Sequence, residues 1–321
     1  MEQVRRQRGN AKQTAIGLSA LVLALAWLRC PEHLAEAVRD GLSLCATTMI
    51  PALFPFMVLS ELIVSSGIGR RLGYALRGLF GPLFGLSEGG VCAWVMGLVC
   101  GFPIGARVAA SLYRSGEMDA REFCHVICFC NVPSSAFLVG VMGSSLLGSR
   151  RAGWCLVGWT VVACAAVGIL FRGRGVRSGE ARVTRTTVQR PSTKQLLGQA
   201  TASAATSMLG VCATVVIFCA ILATLSRMID ARGASPLLKA GLFGLTELSA
   251  GARAAAALPS RQAAAVLCAA VAGWGGFSVH CQILSVCDGC PVSLTRFYAC
   301  RVLQTLMSAA GMALSVRMGL V

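Results

Sequence analysis

Charged residues are scarce in this sequence. Only 13% of its 321 residues are Asp, Glu, Lys or Arg, whereas 55% are hydrophobic and the mean hydropathy is +0.70. Soluble domains carry about 25% charged residues, so an ordinary soluble domain is excluded. Several apolar runs reach or approach the ~20 residues that cross a bilayer as a helix. The composition therefore predicts an all-α polytopic membrane protein, with the lipid bilayer as its surroundings.

Signatures of catalysis are missing too. The chain has only three histidines, His33, His125 and His280, and it has no nucleophile elbow, P-loop or HExxH motif. We expect a protein that is not an enzyme and that holds neither a metal nor a cofactor. The net charge is +16, but no basic face interleaved with aromatic residues accompanies it, so we expect no nucleic acid partner.

Cysteine is plentiful, with sixteen residues that lie mostly inside apolar runs. In such surroundings a thiol behaves as a small hydrophobic group. Cys287 and Cys290 have CxxC spacing. No second pair accompanies them, so a metal or redox role is the less favoured interpretation.

The orientation follows from the basic residues. Residues 172–194 carry seven Lys or Arg against one Glu, which predicts a cytoplasmic segment. Residues 1–13 are basic and precede a short apolar run that fits either a first transmembrane helix or a signal peptide. We divide the chain into residues 1–40 (basic segment and first helix), 41–152 (first repeat), 153–195 (linking helix and basic loop) and 196–321 (second repeat).

Two apolar runs are broken by the residues that they contain. Residues 101–107 read Gly-Phe-Pro-Ile-Gly-Ala-Arg, and residues 131–135 read Asn-Val-Pro-Ser-Ser. Glycine and proline both disfavour a continuous helix, and irregular backbone at membrane depth is tolerated only inside protein or along a wet cavity. The loops on either side of residues 79–113 are assigned to the same face of the membrane. That segment is therefore predicted to be a re-entrant hairpin with its tip near 101–105.

The second half repeats features of the first. Leu-Phe-Gly-Leu-Ser-Glu at residues 83–88 recurs as Leu-Phe-Gly-Leu-Thr-Glu at 242–247, and Gly-Phe-Pro at 101–103 is echoed by Gly-Phe-Ser at 276–278. Paired broken segments in two inverted halves are typical of secondary transporters, whose site lies at the repeat interface. The span 41–67 is expected to be interrupted by Pro51 and Pro55.

Arg107 is the first candidate for binding. A charged side chain at the membrane centre costs about 2.5–3.5 kcal/mol on insertion scales, so it normally has a partner. An anionic ligand, Glu88 or the membrane surface could provide it. Asn131 offers polar groups to a ligand or merely satisfies a helix kink, and His280 is either part of the site or a structural bond across helices. The predicted substrate-binding residues are Gly101, Phe102, Pro103, Gly105, Arg107, Asn131, Ser134, Gly276, Ser278, His280 and Gln282.

Three acidic residues are candidates for ion coupling or charge pairing. Glu88 and Glu247 occupy matching places in the two echoes. They could bind a cation, neutralise Arg107 or simply stabilise helix N-termini. Glu61 lies near the cytoplasmic end of its span, from which it could reach the headgroups.

The broken segments, with Phe-Pro-Phe-Met-Val-Leu-Ser-Glu at 54–61 and Gly-Gly-Phe-Ser-Val-His-Cys-Gln at 275–282, resemble the YlbJ-type sporulation integral membrane protein family with its nucleoside-recognition Gate domains. The resemblance implies two inverted repeats with re-entrant hairpins and broken helices, similar to concentrative nucleoside transporters. It also implies alternating-access export of dipicolinic acid from the mother cell across the outer forespore membrane. By motif position Arg107, Asn131, Ser278, His280 and Gln282 would line the site. The family often has Lys where Arg107 stands.

Residue chemistry and resemblance agree on a small anionic substrate, because a guanidinium and helix N-termini suit an aromatic dianion such as dipicolinate. Two other functions stay open. The chain could carry a nucleoside or another small solute, or it could be a structural membrane component needed for spore maturation. A homo-oligomer is possible.

Overall fold

The computed structural model describes residues 14, 17–173, 195–230 and 232–321. Within those ranges all regular secondary structure is helical, so the predicted all-α class is confirmed. Most of the basic segment 172–194 lies outside the described residues. The same holds for the basic N-terminal residues on which the choice between signal peptide and first helix depends.

The described residues form sixteen helical segments. They are α1 (Gly17–Leu28), α2 (Pro31–Leu44), π1 (Cys45–Met49), α3 (Ile50–Ser65), α4 (Ile68–Phe84), α5 (Glu88–Cys100), α6 (Ile104–Arg114), α7 (Ala120–Val126), π2 (Phe137–Leu146), α8 (Arg150–Leu170), α9 (Leu196–Asp230), α10 (Pro236–Thr246), α11 (Leu248–Ala256), α12 (Arg261–Trp274), α13 (Gly276–Val286) and α14 (Leu294–Arg317).

Several helices are suited to a bilayer by length and composition. Four stretches are long and apolar enough to cross it: α8, α9, the pair α12–α13 and α14. The number rises to six if each of two sharply bent helix pairs counts as one span. The protein is therefore a multi-pass membrane protein, as the composition predicts.

The two prolines in the second span do not break it. Helices α2 and α3 are joined without a gap by π1, which ends one residue before Ile50 and two before Pro51. Proline lacks an N–H and crowds the preceding turn, and a π turn widens the helix by one residue. The interruption expected at Pro51 and Pro55 is therefore wrong, because α3 runs through both prolines and the π turn precedes them. Both α2 and α3 pack along the long helix α9.

The predicted hairpin is formed by α5 and α6. Helix α5 has 13 residues and α6 has 11, which at 1.5 Å per residue gives arms of about 20 and 16 Å. Each arm is too short for a hydrocarbon core about 30 Å thick. The two ends of the hairpin also meet, because a Cβ at Gly89 would lie 3.3 Å from Leu112 Cδ1. The Ser87 N–H, just before α5, donates to Glu122 Oε1 on α7 at 2.6 Å. The chain thus turns back at residues 101–103, as predicted.

The sequence echo has a partial structural counterpart. Glu88 begins α5, and Glu247 is the N-cap of α11. The glycine echo does not occupy equivalent helices, however. Gly101 ends the first helix after Glu88, whereas Gly276 follows two helices, α11 and α12, after Glu247. The domain boundaries drawn from the repeat stay a prediction.

The hairpin predicts which loops share a side of the membrane. A short epitope inserted at Gly67 and another at Gly116 should both be exposed on one side, because the α5–α6 arms enter and leave together. An epitope at Gly148, beyond π2, should be exposed on the opposite side and serves as the control. Antibody binding to sealed vesicles of known orientation measures this, and Gly67 and Gly116 on different sides would refute the re-entrant hairpin.

Candidate functional site

The hairpin tip is bonded to the broken segment that follows α7. Phe102 N–H donates to the Val132 carbonyl at 2.8 Å, and Ala106 N–H donates to Asn131 Oδ1 at 3.0 Å. The amide of Asn131 also donates to the Ile127 carbonyl at 3.0 Å. The first N–H groups of a helix lack partners within it, so Asn131 caps α6 from a distance. The polar groups that both breaks would leave bare in a membrane therefore satisfy one another.

Glycines permit this close crossing. A Cβ added at Gly97 would lie 1.7 Å from the Cys130 carbonyl oxygen, and one at Gly105 would lie 2.1 Å from the same atom. At Gly101 a Cβ would lie 2.6 Å from the Ser134 nitrogen, and φ there is +80°. The predicted residues Gly101 and Gly105 thus hold the crossing together. Ser134 acts as a cap, its hydroxyl accepting from Phe137 N–H at 3.3 Å, and Pro103 is buried as the N-cap of α6.

Arg107 joins three helices. Its Nε lies 2.6 Å from Glu61 Oε1 on α3. Its Nη2 donates to the hydroxyl and the carbonyl of Ser203 on α9, at 2.5 and 3.2 Å, and its Nη1 donates to the Ser207 hydroxyl. The sequence left Glu88 open as a partner, but Glu88 Oε1 lies 3.3 Å from Arg77 Nη1 instead. Glu61 is the acid that neutralises Arg107.

A cavity of about 280 Å³ opens beside this ion pair. Its lining carries two guanidiniums, Arg107 and Arg114, against one carboxylate, Glu61. Arg114 donates to the carbonyls of Val286 and Asp288 at 3.0 and 2.7 Å, so it connects α6 to the end of α13. The full lining is Met57, Ser60, Glu61, Ile104, Arg107, Val108, Ser111, Arg114 and Ser203.

The glycine break of the second half touches the hairpin tip. A Cβ at Gly275 would lie 4.0 Å from Cε1 of Phe102. Gly276 packs on the start of α11, since a Cβ there would lie 3.0 Å from the Glu247 Cα. The structure therefore brings the two predicted breaks together through the Phe102 ring.

Three polar residues of α13 that follow Gly276 are buried. Gln282 Nε2 lies 3.5 Å from Ser278 Oγ, and both side chains are buried. His280 Nε2 lies 2.8 Å from the Trp274 carbonyl, which can only accept, so Nε2 carries the proton. Rings of Trp274, Phe277, Phe297 and Tyr298 surround this imidazole. Among the described residues, the cavity lining includes none of Gly276, Ser278, His280 and Gln282.

The two echoed glutamates act at helix N-termini. Glu247 is buried, and its Oε2 accepts from Ala250 N–H at 2.7 Å, the geometry of a helix cap. Glu88, the first residue of α5, pairs with Arg77. Within the described ranges, Arg107 pairs with Glu61, Ser203 and Ser207 and with neither of these glutamates. This placement favours the helix-capping interpretation over ion coupling.

A further acid, Glu122, lies near the two ends of the hairpin and outside the membrane-spanning segments. Glu122 accepts from Ser87 N–H, as described above, and a Cβ at Gly90 would lie 2.2 Å from its Oε1. Burial raises the pKa of the Glu122 carboxyl above its usual range, and the hydrogen bonds from Ser87 oppose that rise. The carboxyl therefore stabilises the start of α5.

Sequence reasoning missed the contribution of α9. Ser203 and Ser207 stand four residues apart in an apolar helix, so their side chains lie on one face. That spacing was visible in the sequence. Their role was not, because only the fold shows that this face meets α6.

These features define a class: a multi-pass helical membrane protein with a hairpin crossing a broken helix and a cationic cavity beside the crossing. Residues 46–148 match the model of the Gate family, described as nucleoside recognition. The chain is also 24% identical over 312 residues to the sporulation integral membrane protein YlbJ of Bacillus subtilis (strain 168), covering 87% of this chain and 76% of that protein. No solved structure is significantly similar to the chain.

The predicted resemblance is confirmed as a likeness: the chain is a multi-pass membrane protein with a match to the Gate family at residues 46–148, and it is similar to the sporulation protein YlbJ over 87% of its length. The matched Gate segment contains Glu61, Arg107 and Asn131, and thus both the crossing and the ion pair. Ser203 and Ser207, which complete the bonding of Arg107, lie beyond it.

The crossing predicts a large effect of one methyl group. Gly97→Ala or Gly105→Ala should destabilise the protein by about 1–3 kcal/mol or more, because the added Cβ overlaps a backbone oxygen that cannot move away. Gly158→Ala is the matched control, since a Cβ there meets nothing within 4 Å and alanine favours a helix. Thermal unfolding of purified protein in detergent measures both. Equal midpoints for Gly105→Ala and Gly158→Ala would contradict the close crossing.

Proposed function

We propose that this protein carries a small organic anion across a membrane of the sporulating cell by alternating access, with dipicolinate as the candidate substrate. The observation that carries the proposal is the excess of guanidinium over carboxylate in the cavity lining. A volume of about 280 Å³ lies just below the ~300–1,000 Å³ range of small-molecule sites, which favours a small solute.

The two arginines of the cavity suit a dicarboxylate. Arg107 and Arg114 are seven residues apart on α6, so they project from the same face about two turns apart. A guanidinium binds a carboxylate through paired, charge-assisted hydrogen bonds. Glu61 presents a carboxylate to Nε of Arg107. A substrate carboxylate would take the place of Glu61, with the hydroxyls of Ser203 and Ser207 holding the guanidinium in position.

The cellular setting comes from the relative. The name of the similar Bacillus subtilis protein refers to sporulation and to the membrane. Export of dipicolinate from the mother cell across the outer forespore membrane would fit both the name and the cationic site. This assignment extends the relative's name to the present chain and is tested by the transport assays below.

A nucleoside carrier is the second candidate, and the Gate family's description supports it. A neutral nucleoside would need hydrogen-bond donors and acceptors but no net positive charge. The two arginines therefore favour the anion. A structural role without transport would leave the cavity and its ion pair with no ligand to bind.

Replacing Arg107 tests the site directly. Arg107→Ala should lower dipicolinate uptake into proteoliposomes by roughly 10- to 100-fold, the effect of losing hydrogen bonds to a charged group. Arg77→Ala is the control, because Arg77 also pairs with a glutamate but lies outside the cavity lining. Dipicolinate uptake that survives in Arg107→Ala would contradict anion binding at Arg107 and favour the nucleoside carrier. No dipicolinate uptake by the wild type would reject a carrier of dipicolinate.

Competition separates anion from ring recognition. Unlabelled dipicolinate should inhibit uptake of the labelled compound, whereas its dimethyl ester, with the same ring and no charge, should inhibit roughly tenfold less or weaker still. Uridine should behave like the ester. Inhibition by uridine equal to that by dipicolinate would indicate that the cavity recognises nucleosides.

A further inference from the structure

A second arginine is buried inside the helix bundle without an acid to pair with. Arg301 lies on α14, a candidate membrane span, and only 2% of its surface is exposed. Its Nη1 donates to Gln304 Oε1 at 3.0 Å, one turn further along the same helix. Its Nε and Nη2 are buried, and across the described part of the chain neither has a hydrogen-bond partner. Two donors of a buried cation are therefore unsatisfied.

The neighbours of Arg301 do not offset its charge. The titratable groups near it are four cysteine thiols, Cys128, Cys130, Cys164 and Cys300, and the His280 imidazole, none of them an acid. A thiol behaves as a small hydrophobic group with a weak S–H donor, and it brings no negative charge. The ring of Phe297 lies 5.3 Å from the guanidinium carbon and offsets part of the charge. The described ion pairs leave Arg301 out.

Arg296, on the same helix, shows which contacts a structural arginine makes in this protein. Its Nη2 lies 2.8 Å from His125 Nδ1 and 2.7 Å from the Phe171 carbonyl, and the Phe171 ring lies 5.7 Å away. Both arginines are buried in α14. Arg296 thus bonds to two other parts of the chain, whereas the described hydrogen bond of Arg301 stays within α14 and does not join helices.

Arg301 lies on the opposite side of the broken segment, residues 127–134, from the hairpin. Gln304, which receives the bond from Arg301, donates Nε2 to the Cys128 carbonyl at 3.1 Å. Two residues later, the Cys130 carbonyl faces Gly97 and Gly105 of the hairpin. Residues 127–134 therefore lie between the hairpin, which bears Arg107, and α14, which bears Arg301. The His280 ring also contacts Phe297, and its buried Nδ1 has no hydrogen-bond partner among the residues that the structure describes.

We propose that Arg301 is a second carboxylate-binding residue of this carrier, sealed in the present conformation and reached by the substrate in another. A buried cation with free donors is costly, and a carboxylate arriving at Nε and Nη2 would remove that cost. An anion held at Arg107 on one face of the broken segment would then be received at Arg301 on the other. This inference rests on the proposed function of anion transport.

Substitution by methionine tests the inference, because methionine fills the same space without charge. Arg301→Met should unfold at the same temperature as the wild type in detergent or at a higher one, since an unpaired buried charge is removed. It should nevertheless reduce dipicolinate uptake into proteoliposomes by roughly tenfold or more. Arg301→Lys, which keeps the charge, should retain part of the uptake. Arg296→Met, the matched control, should lower the unfolding temperature because its partners are left unpaired.

Ligand binding gives a readout that is independent of transport. Dipicolinate should raise the unfolding temperature of the wild type more than that of Arg301→Met. Full uptake by Arg301→Met, or a lowered unfolding temperature matching that of Arg296→Met, would overturn the inference and leave the role of Arg107 intact. Absence of uptake by the wild type would reject the proposed function. In that case an equal ligand-induced shift in both proteins would reject the site at Arg301 as well.

Discussion

The mutual bonding of two broken backbones is the constraint on which this structure depends. A hairpin tip and an interrupted helix each expose N–H and carbonyl groups that lipid cannot satisfy. The tip donates from Phe102 and Ala106 to Val132 and Asn131, and glycines bring the backbones close enough for this. This irregular backbone is thus stable only because the hairpin tip and the interrupted helix cross and bond to each other. The position of Arg107, four residues after Pro103 on the helix that Asn131 caps, is fixed by it.

Three arginines show how a membrane bundle accommodates cations in different ways. Arg296 donates from Nη2 to an imidazole and a carbonyl, and Arg107 bonds to a glutamate and two serines beside a cavity. Arg301 has one bond and no acid within the described residues. Since burial of a charge is costly in proportion to what is left unpaired, the first is structural. Under the two proposals above, the second would exchange its acid for a substrate carboxylate, and the third would receive that carboxylate in another conformation.

The sequence predicted the breaks well because glycine and proline act locally. The helix ends at Cys100, the restart at Ile104 and the irregular segment at 131–134 all follow from residue types. Partners of charges could not be predicted in this way. Glu61 stands 46 residues before Arg107 and Ser203 stands 96 residues after it, so their meeting depends on how α3, α6 and α9 pack. The π turn before Pro51 likewise needed the packing on α9, which keeps the helix running on through both prolines.

The strengths of the contacts indicate which parts would move during transport. The hairpin and the broken segment are joined by buried backbone bonds and by glycine contacts that allow no change of spacing. Their contacts with α9 and α13 are different. They consist of long arginine side chains on hydroxyls and carbonyls, and of the Phe102 ring against Gly275. Such side chains can change partners at little cost, because water or a carboxylate can replace each acceptor. Alternating access would therefore move the crossing as one body against α9 and α13, with Arg107 and Arg114 exchanging acceptors as it moves.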